Sequence, residues 1–282
     1  MKSQTTPLPI RQHPSTKPEK SEAGRIESWS LVAAVNNDRV FENTLLSSPG
    51  IDAKCQIIPK RGFQCAGKAY NSGINDARHD IIVFAHQDIY LPHDWKAQVE
   101  VALSQVARID PGWGVLGVVG VAKENQDIRG HCYSTGLQRF VGETFSTPVE
   151  VRSLDEIVLL LRRSSGLMFD ENLPGFHLYG TDICAQANAR GMKSYVVPAF
   201  CIHNSNGVKY YPVEFWRAYF YLRRKWWPRL PLTTCCTKIT KWCLPALKSM
   251  FRDCVDTLFR LRSVGSRVDD VATLYRSLFV NP

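Results

Sequence analysis

Residues 80–95 read D-I-I-V-F-A-H-Q-D-I-Y-L-P-H-D-W, and this stretch decides the fold. Residues 81–85 form a continuous apolar run of β-branched and aromatic side chains, which predicts a strand buried on both faces. The run ends at three polar residues, His86, Gln87 and Asp88. Because ligands of open α/β sheets bind beyond the carboxyl ends of the strands, His86 and Asp88 can face one ion or phosphate there. A strand that ends in a solvated turn is the alternative that this stretch alone leaves open.

The segments around this strand alternate between strand and helix patterns. Pro92 stops the strand pattern, and residues 95–109 place apolar side chains at helical spacing behind a possible cap at His93 or Asp94. Upstream, we predict strands at residues 30–35 and 55–58 and a helix over residues 64–78, and Pro59 is expected to end the second strand. Such alternation is typical of parallel sheets with right-handed crossovers. We therefore predict an α/β fold with a Rossmann-like, mostly parallel central sheet flanked by helices.

The second half of the pattern is less regular. We predict a glycine-punctuated strand over residues 112–122, a polar loop region over residues 123–150 and a strand over residues 154–163. The glycines indicate close packing rather than a phosphate loop, because no Lys-Ser/Thr pair follows them. Residues 183–190 are predicted to form a helix with Asp182 at its start, and residues 195–202 a last strand followed by His203.

The composition is that of a globular protein, with 282 residues, 44% of them hydrophobic and 22% charged. No run of about 18 apolar residues could span a bilayer, and the first residues do not resemble a secretory signal. The nine cysteines form no metal-binding spacing. We expect free thiols in a reducing compartment, and hence a cytoplasmic location.

Three regions differ in composition. Residues 1–25 are polar and rich in proline, which predicts a disordered leader. Residues 26–212 carry the α/β pattern and are predicted to form the main domain, which would hold the functional site at its strand ends. Residues 213–282 form a basic, aromatic extension with a helical pattern. This extension holds 13 Lys and Arg against 5 Asp and Glu, so it carries +8 of the total net charge of +9.

The basic extension allows two interpretations. Tryptophan and basic residues on amphipathic helices suit an anionic membrane surface, which would make the protein peripheral at the cytoplasmic membrane face. Alternatively, the stripe that contains Leu247, Met250 and Phe251 packs onto the α/β domain and leaves the charges solvated. Nucleic-acid binding is not expected, because no recognised reader motif accompanies the charge.

Polar residues gather at four predicted strand ends or helix starts. If the sheet is parallel, several of them meet at one rim. A nucleotide-diphosphate donor needs such an arrangement, since a cation or basic groups must neutralise the leaving diphosphate. An attacking hydroxyl also needs a carboxylate to accept its proton. The four groups are Asn36 to Asp38, His86 to Asp88, Thr181 with Asp182, and His203.

The chain resembles the family 2 glycosyltransferases, which have the GT-A fold. It is most similar to the branch with an H-Q-D signature that is related to the streptomycin-biosynthesis StrF domain. The similarity covers residues 30–230, and the motif G-F-H-L-Y-G-T-D is nearly specific to that branch. The matching segments are V-A-A-V-N-N-D at 32–38, A-Y-N-S-G-I at 69–74, F-A-H-Q-D-I-Y-L-P at 84–92, G-F-H-L-Y-G-T-D-I-C at 175–184 and H-N-S at 203–205.

The resemblance implies a role for each matching residue. The D-x-D motif of the family falls on residues 86–88, so that Asp88, with His86 and His203, would hold a divalent metal. Asp182 corresponds to the general base of an inverting transfer. A histidine replaces the first acidic residue of D-x-D, and a His/Asp/His set favours softer ions than an all-carboxylate set does. Mn²⁺ or Mg²⁺ is expected, and metal independence remains open.

The remaining expected site residues bind the donor or the acceptor. The nucleotide sugar is expected at a set of residues near the first and third strands. The acceptor, a glycan, a lipid-linked molecule or a small molecule, is expected near His177, Tyr179 and Asp155, although a structural role is favoured for Asp155. The donor set is Asn36, Asn37, Asp38, Arg61, Lys68, Asn71, Gln87 and Asp88.

These observations predict an inverting glycosyltransferase with a GT-A-like domain and a C-terminal helical extension. The alternative is a catalytically inactive module that binds a nucleotide or a glycan, because the H-Q-D departure weakens the metal motif. A nucleotidyltransferase is disfavoured, since no glycine-rich basic loop follows the first strand.

Overall fold

The computed structural model describes residues 26–207, 210–259 and 264–279, so the predicted leader at residues 1–25 lies outside the described residues. In chain order the strands are β1 (Trp29–Val35), β2 (Cys55–Arg61), β3 (Ile81–Ala85), β4 (Ile89–Tyr90), β5 (Val115–Gly117), β6 (Val119–Ala122), β7 (Ile128–Gly130), β8 (Cys132–Ser134), β9 (Arg139–Val141), β10 (Val149–Leu154), β11 (Val158–Arg162), β12 (Ser194–Val196), β13 (Cys201–His203), β14 (Leu232–Thr233) and β15 (Lys238–Ile239). The α-helices are α1 (Asp38–Val40), α2 (Ala66–Asp76), α3 (Trp95–Ile109), α4 (Tyr179–Ala189), α5 (Val213–Lys225), α6 (Leu244–Leu258) and α7 (Val271–Phe279).

A nine-stranded sheet in the order β2-β1-β3-β11-β5-β12-β10-β6-β7 forms the centre of the molecule. Strands β2, β1, β3, β5, β12 and β6 run in one direction, and β11, β10 and β7 run in the other. The predicted α/β class with a large, mostly parallel central sheet is therefore confirmed. The strand predicted at residues 81–85 is β3 itself, and β1 pairs in parallel with both β2 and β3.

The central sheet separates two apolar cores. Alternate residues of a strand point to opposite faces, so Val32 of β1 packs on the side of α2, α4 and α5, and Leu31 packs on the side of α3. In the same way Phe84 and Val83 of β3 face opposite cores. Strand β3 is therefore covered by helices on both faces, which explains its continuous apolar sequence.

Pro59 does not end the second strand, contrary to the prediction. Strand β2 continues through Pro59 to Arg61 in register with β1, where Ala33 pairs with Pro59. Proline is tolerated there because β2 is the edge strand of the sheet and needs hydrogen bonds on one side only. The continuation carries Lys60 and Arg61 to the carboxyl edge of the sheet.

Two predicted strands are each divided in the structure. The predicted strand 112–122 is β5 and β6, which lie at different positions in the sheet because the chain bends at Val118. A Cβ on Gly117 or Gly120 would lie 2.9 Å from Leu154 Cδ2, so these glycines serve close packing. The predicted strand 154–163 begins later, as β11, and β10 ends at Leu154.

The predicted loop region 123–150 and the predicted last strand also differ from the structure. The loop region contains β7, β8 and β9, which are strands of three residues each and too short for periodicity to reveal. The last strand is interrupted near Pro198. Its first part is β12 of the central sheet, and its second part is β13 of a separate sheet with the order β4-β13-β8-β9. This second sheet and α7 share a third apolar core.

Helix α5 is the first element of the basic extension that was predicted from residue 213 onward. Phe215, Trp216, Tyr219 and Leu222 of this helix are buried in the same core as α2 and α4. The first part of the basic extension thus packs directly on the central sheet. Among the described helices, none combines the length and the apolar character that crossing a bilayer requires.

Candidate active site

The carboxyl ends of β1 and β3 are joined by one side chain, that of Gln87. Its Oε1 accepts hydrogen bonds from the backbone N–H groups of Asn36 and Asn37, each at 3.0 Å, and its Nε2 donates to Asn36 Oδ1. Both strands run in parallel, so their polar ends meet at one rim, as the sequence predicted. Gln87 therefore shapes the rim by holding the two strand ends together.

A cavity of about 600 Å³ opens at this rim, a volume typical of ligand sites. Six of the predicted site residues line it: Asn36, Asp38, Arg61, His86, Gln87 and Asp88. Arg61 donates through Nε to Asp38 Oδ1 at 2.8 Å, and both side chains are exposed. The cavity therefore offers amides, a guanidinium and carboxylates to a polar ligand.

Asp88 and two histidines lie together at the edge of this cavity. Each of His86, Asp88 and His203 offers one ligand atom, and these three atoms lie within 4.8 Å of one another. His203 reaches Asp88 because β13 pairs antiparallel with β4, which aligns His203 with Ile89 and lets Asn204 N–H donate to the Asp88 carbonyl at 2.8 Å. The pairing of two short strands thus assembles the cluster.

The hydrogen-bond chain around Tyr179 indicates which nitrogen of His86 could bind a metal. The Tyr179 hydroxyl donates to the Glu156 carbonyl at 3.1 Å. It has no second hydrogen for His86 Nε2, which lies 2.9 Å away, so that nitrogen must be the donor. In the neutral ring Nδ1 then carries the lone pair and is the candidate ligand atom.

Burial and neighbouring charges set the protonation of the cluster. Burial lowers the pKa of His86 to about 4, and the nearby His203 adds to this shift, so His86 is neutral at pH 7. Burial opposes ionisation of Asp88, but the hydrogen bonds from His203 and Arg267 together with the charges of His203 and His86 outweigh it and hold the pKa of the carboxyl well below its usual value. For His203, burial acts to lower the pKa, but the hydrogen bond and charge of Asp88, with smaller contributions from Cys132 and Asp155, raise it overall.

An imidazole, a carboxylate and a second imidazole are a suitable donor set for a divalent cation such as Mn²⁺. His86 and Asp88 lie in the connection between β3 and β4, and His203 ends β13. The lowered pKa of Asp88 keeps this carboxyl ionised, as metal binding requires. The residues present therefore fit a divalent cation.

Three predicted donor residues have other contacts or positions. Asn37 caps α1, where its Oδ1 accepts from Val40 N–H at 3.2 Å. Asn71 is buried, and its amide bonds the Phe169 backbone in both directions, each at 2.9 Å. Lys68 is exposed on α2. The cavity lining includes none of these three described residues.

Asp182 lies away from the described cavity lining and is 1% exposed. Its Oδ1 accepts from Trp226 Nε1 at 2.7 Å, and its Oδ2 accepts from Lys225 Nζ and Gln186 Nε2, each at 2.8 Å. The structure does not bring Asp182 and Asp88 to a shared cavity surface. The role of Asp182 as a general base stays a prediction.

The residues expected at the acceptor have mainly structural contacts. The Tyr179 hydroxyl contacts His86 Nε2, the Glu156 carbonyl and, at 3.2 Å, the Tyr70 hydroxyl. These contacts help to position His86 in the His/Asp/His cluster. The His177 ring packs against Phe215, and burial lowers its pKa. Asp155 Oδ1 accepts from Ile157 N–H at 3.2 Å, in agreement with the structural role favoured for Asp155.

Several residues at the site were not predicted. Lys60, Phe63, Tyr70 and Phe176 also line the cavity. Lys60 adjoins the predicted Arg61 and reaches the rim because β2 continues through Pro59. Arg267 donates from Nη2 to Asp88 Oδ2 at 3.0 Å, and no local sequence pattern marks a residue so distant in the chain.

The fold has a distant likeness to solved structures. The mannosyltransferase PcManGT from Pyrobaculum calidifontis, in complex with GDP-Man and Mn²⁺, is 11% identical, with a TM-score of 0.42 over 70% of this chain and 60% of that chain. TarS 1–349 from S. aureus in complex with UDP is 12% identical, with a TM-score of 0.39 over 62% of this chain and 60% of that chain. At this distance the likeness assigns no ligand to the present chain.

A sequence relative and a family model also match. The protein "ATP synthase subunits region ORF 6" of Fuscovulum blasticum is 29% identical over 132 residues, which are 44% of this chain and 50% of the relative. The chain thus spans about half the length of the curated relative it matches. The model of the "Glycosyltransferase like family" matches residues 30–217, which include β1, the cavity and the His/Asp/His cluster. The chain therefore belongs to the glycosyltransferase-like family.

Proposed function

We propose that this protein transfers a sugar from a nucleotide-diphosphate donor to an acceptor hydroxyl. The observation that carries the proposal is the position of His86, Asp88 and His203, within 4.8 Å of one another at the edge of a cavity of about 600 Å³. Membership of the glycosyltransferase-like family supports the type of reaction. We retain the H-Q-D branch as the finer assignment, on the motif at residues 86–88.

The cavity residues divide between the nucleotide and the diphosphate. Asn36 and Asp38 offer hydrogen bonds to a base or ribose at the end of β1. Arg61 offers a guanidinium suited to phosphate oxygens. His86, Asp88 and His203 would hold a divalent cation, which supplies charge stabilisation to the departing diphosphate when it is bound.

The proposed inverting reaction requires a base for the acceptor hydroxyl, and Asp182 is the candidate that family resemblance provides. Its carboxylate already accepts three hydrogen bonds. Deprotonation of an acceptor therefore requires that Trp226 or Lys225 release one carboxylate oxygen. The acceptor would then enter at the C-terminal end of α5, where Lys225 is the last helical residue and Trp226 follows it.

Donor cleavage in the presence of defined metals tests the proposal. The full chain is incubated with UDP- and GDP-sugars in Mn²⁺, Mg²⁺ or EDTA, and release of the nucleoside diphosphate is measured. We expect metal-stimulated release and, with an acceptor, a product of inverted anomeric configuration by NMR. Asp88→Asn should lower turnover about 100-fold or more, because the cation that would stabilise the leaving diphosphate loses its charged ligand.

The control and the contrary results are defined. Asp127→Asn alters an exposed carboxylate on a turn and should keep full activity. Thermal stabilisation by a nucleotide without any turnover would favour the binding-module alternative, since ligand binding alone raises stability. Absence of both binding and turnover across the panel would remove the proposal.

We further propose that α6 docks the protein on an anionic membrane surface. Leu244, Leu247 and Phe251 are on one exposed stripe of this helix, and Leu244 and Phe251 are 73% and 72% exposed. The opposite face is packed and carries Ala246 and even the buried Asp253. The helix thus turns its large apolar side chains to the surroundings, the reverse of a helix that only covers a core.

Basic and aromatic groups next to this stripe favour a lipid surface over another apolar protein face. Lys248 and Arg252 are both exposed, and they lie one helical turn apart beside this stripe. Trp242 precedes the helix and is 79% exposed. Tryptophan prefers the membrane interface, and each basic residue near anionic lipid adds about 1 kcal/mol. A membrane position would suit a lipid-linked acceptor.

A further inference from the structure

Arg267 joins the candidate cation site from the C-terminal end of the chain. Its Nη2 donates to Asp88 Oδ2 at 3.0 Å, across 179 residues of sequence. The other carboxylate oxygen, Oδ1, lies 3.4 Å from His203 Nε2. Both oxygens of Asp88 therefore face a nitrogen donor, and one of these donors is a permanent cation.

Asn204 fixes the position of Arg267. Its side-chain amide donates to the Val268 carbonyl at 2.9 Å and accepts from the Val268 N–H at 2.8 Å. The Asn204 carbonyl accepts from Arg267 Nε at 2.7 Å. Because the buried Asn204 directly follows His203 and bonds the backbone of Val268, the backbone segments that carry His203 and Arg267 are held next to each other beside Asp88.

The helix after Arg267 anchors this segment. Val271 of α7 is buried against the core that contains Tyr90 and Phe200. The Phe279 ring packs edge-on against Phe200 with ring centroids 4.9 Å apart. Tyr90 lies two residues after Asp88, so the docked helix and the cluster share one support. The contact of Arg267 with Asp88 is thus part of the folded architecture.

The charges of the cluster conflict with a bound dication. A divalent ion on Asp88 would lie close to the guanidinium, and like charges so close in a partly buried site repel each other. Arg267 therefore has to leave Asp88 Oδ2 when an ion binds there. Its side chain is 28% exposed, so the displaced guanidinium can turn toward solvent.

We propose that Arg267 competes with the divalent cation for Asp88 and, once displaced, binds the diphosphate of the nucleotide sugar. This inference rests on the proposed function, which supplies the donor and the cation. A guanidinium is suited to the second task, because its planar N–H groups pair with two phosphate oxygens at once. Without the cation, Arg267 would neutralise the charge of Asp88. With the cation and the donor bound, it would contact the diphosphate.

Two binding measurements on Arg267→Gln test the proposal in opposite directions. Mn²⁺ alone is titrated into the full chain and free Mn²⁺ is followed by EPR. We expect about tenfold tighter binding in the variant, because the competing charge is gone. UDP and GDP are then titrated calorimetrically at saturating Mn²⁺. We expect about tenfold weaker binding, because a charged phosphate contact is lost.

Matched variants separate this role from a structural one. Arg276→Gln removes the same charge from the same segment, at a residue that contacts Thr273 rather than Asp88, and should change neither affinity. Arg267→Lys keeps a cation beside Asp88, so Mn²⁺ affinity should stay within about twofold of the wild type. This variant also provides the comparison if Arg267→Gln folds poorly.

The outcomes are distinguishable. Parallel weakening of Mn²⁺ and nucleotide binding in Arg267→Gln would mean that Arg267 only holds Asp88 in place, and the proposal would be overturned. Unchanged affinities would overturn it as well. If the wild type binds neither Mn²⁺ nor UDP or GDP, the proposed function itself fails.

Discussion

The carboxylate of Asp182 meets donors from two distant parts of the chain. Gln186 lies one turn further along α4, whereas Lys225 and Trp226 are at the end of α5. Lys225 also contacts Asp170, with Nζ 2.6 Å from Oδ2. A carboxylate with this environment can hold two helices together or, after one donor leaves, accept a proton from a substrate. Substitution of the two acids distinguishes these roles.

Asp182→Asn is expected to lower turnover by about 100-fold or more, because loss of a general base costs 10²–10⁴ in rate. Donor affinity, measured by calorimetry with UDP or GDP, should stay close to that of the wild type. Asp170→Asn is the matched control, since it removes the other carboxylate on Lys225 and should keep turnover. Equal turnover losses in both variants would assign Asp182 to packing of Lys225.

At the scale of elements, helix α4 starts in an unusual way. Leu178 precedes the helix with φ of 63°, and its side chain provides no cap. The carboxylate of Glu156 accepts hydrogen bonds from the Leu178 and Gly180 N–H groups instead. Burial, with a further contribution from Asp155, raises the pKa of Glu156 to about 8. A side chain from the β10–β11 connection thus caps the helix that carries Tyr179.

The raised pKa of the buried Glu156 predicts a pH dependence of stability. A carboxyl group with a higher pKa in the folded protein binds more protons when folded, so stability falls as pH rises from 4.5 to about 8. We expect the melting temperature of the wild type to fall across this range. In Glu156→Gln the fall should be smaller by about 2 °C or more. Glu124→Gln, at an exposed turn position, is the control. Parallel dependence of the melting temperature on pH in all three proteins would refute the raised pKa of Glu156.

At the scale of the whole molecule, the three helices of the C-terminal region differ in the burial of their apolar side chains. Helix α5 and helix α7 bury their apolar side chains on the central and the smaller sheet, respectively. Helix α6 instead leaves Leu244, Leu247 and Phe251 exposed. Because α5 and α7 are buried against the two sheets, α6 could place its exposed stripe on a membrane without unfolding of the domain.

Vesicle co-sedimentation tests the membrane proposal. The wild type should bind vesicles with about 30% anionic lipid and bind neutral vesicles weakly, with a loss of binding at high salt. Replacement of Trp242, Leu247 and Phe251 by Ser should weaken binding at least about tenfold, because the inserted apolar area is lost. The control Ile109→Ser with Leu137→Ser removes exposed apolar side chains elsewhere. Equal binding of all variants, or dimer formation through α6 without lipid binding, would contradict the proposal.

The sequence predicted the features that depend on local pattern. Strand β3 is apolar because helices cover both its faces. Its continuous apolar run therefore predicted its bounds and the polar residues 86–88 that follow it. The strand–helix alternation gave the α/β class. Strands of three residues, such as β7 and β8, were not predicted, because so short a segment shows no distinctive hydrophobic period. The continuation of β2 through Pro59 depended on its position at the sheet edge, which the sequence does not state.

By itself, then, the sequence determined the central sheet, the rim at the ends of β1 and β3, and Asp88 as its acidic residue. The family resemblance named His203 as a partner of Asp88, and the pairing of β13 with β4 is how the fold brings it there. Arg267 was not predicted, because it reaches Asp88 only through the docking of α7. Hydrophobic periodicity records what each segment buries, whereas contacts between distant segments depend on how those buried faces fit together. For the same reason, the burial of Asp182 against Lys225 and Trp226 emerged only when α4 and α5 packed.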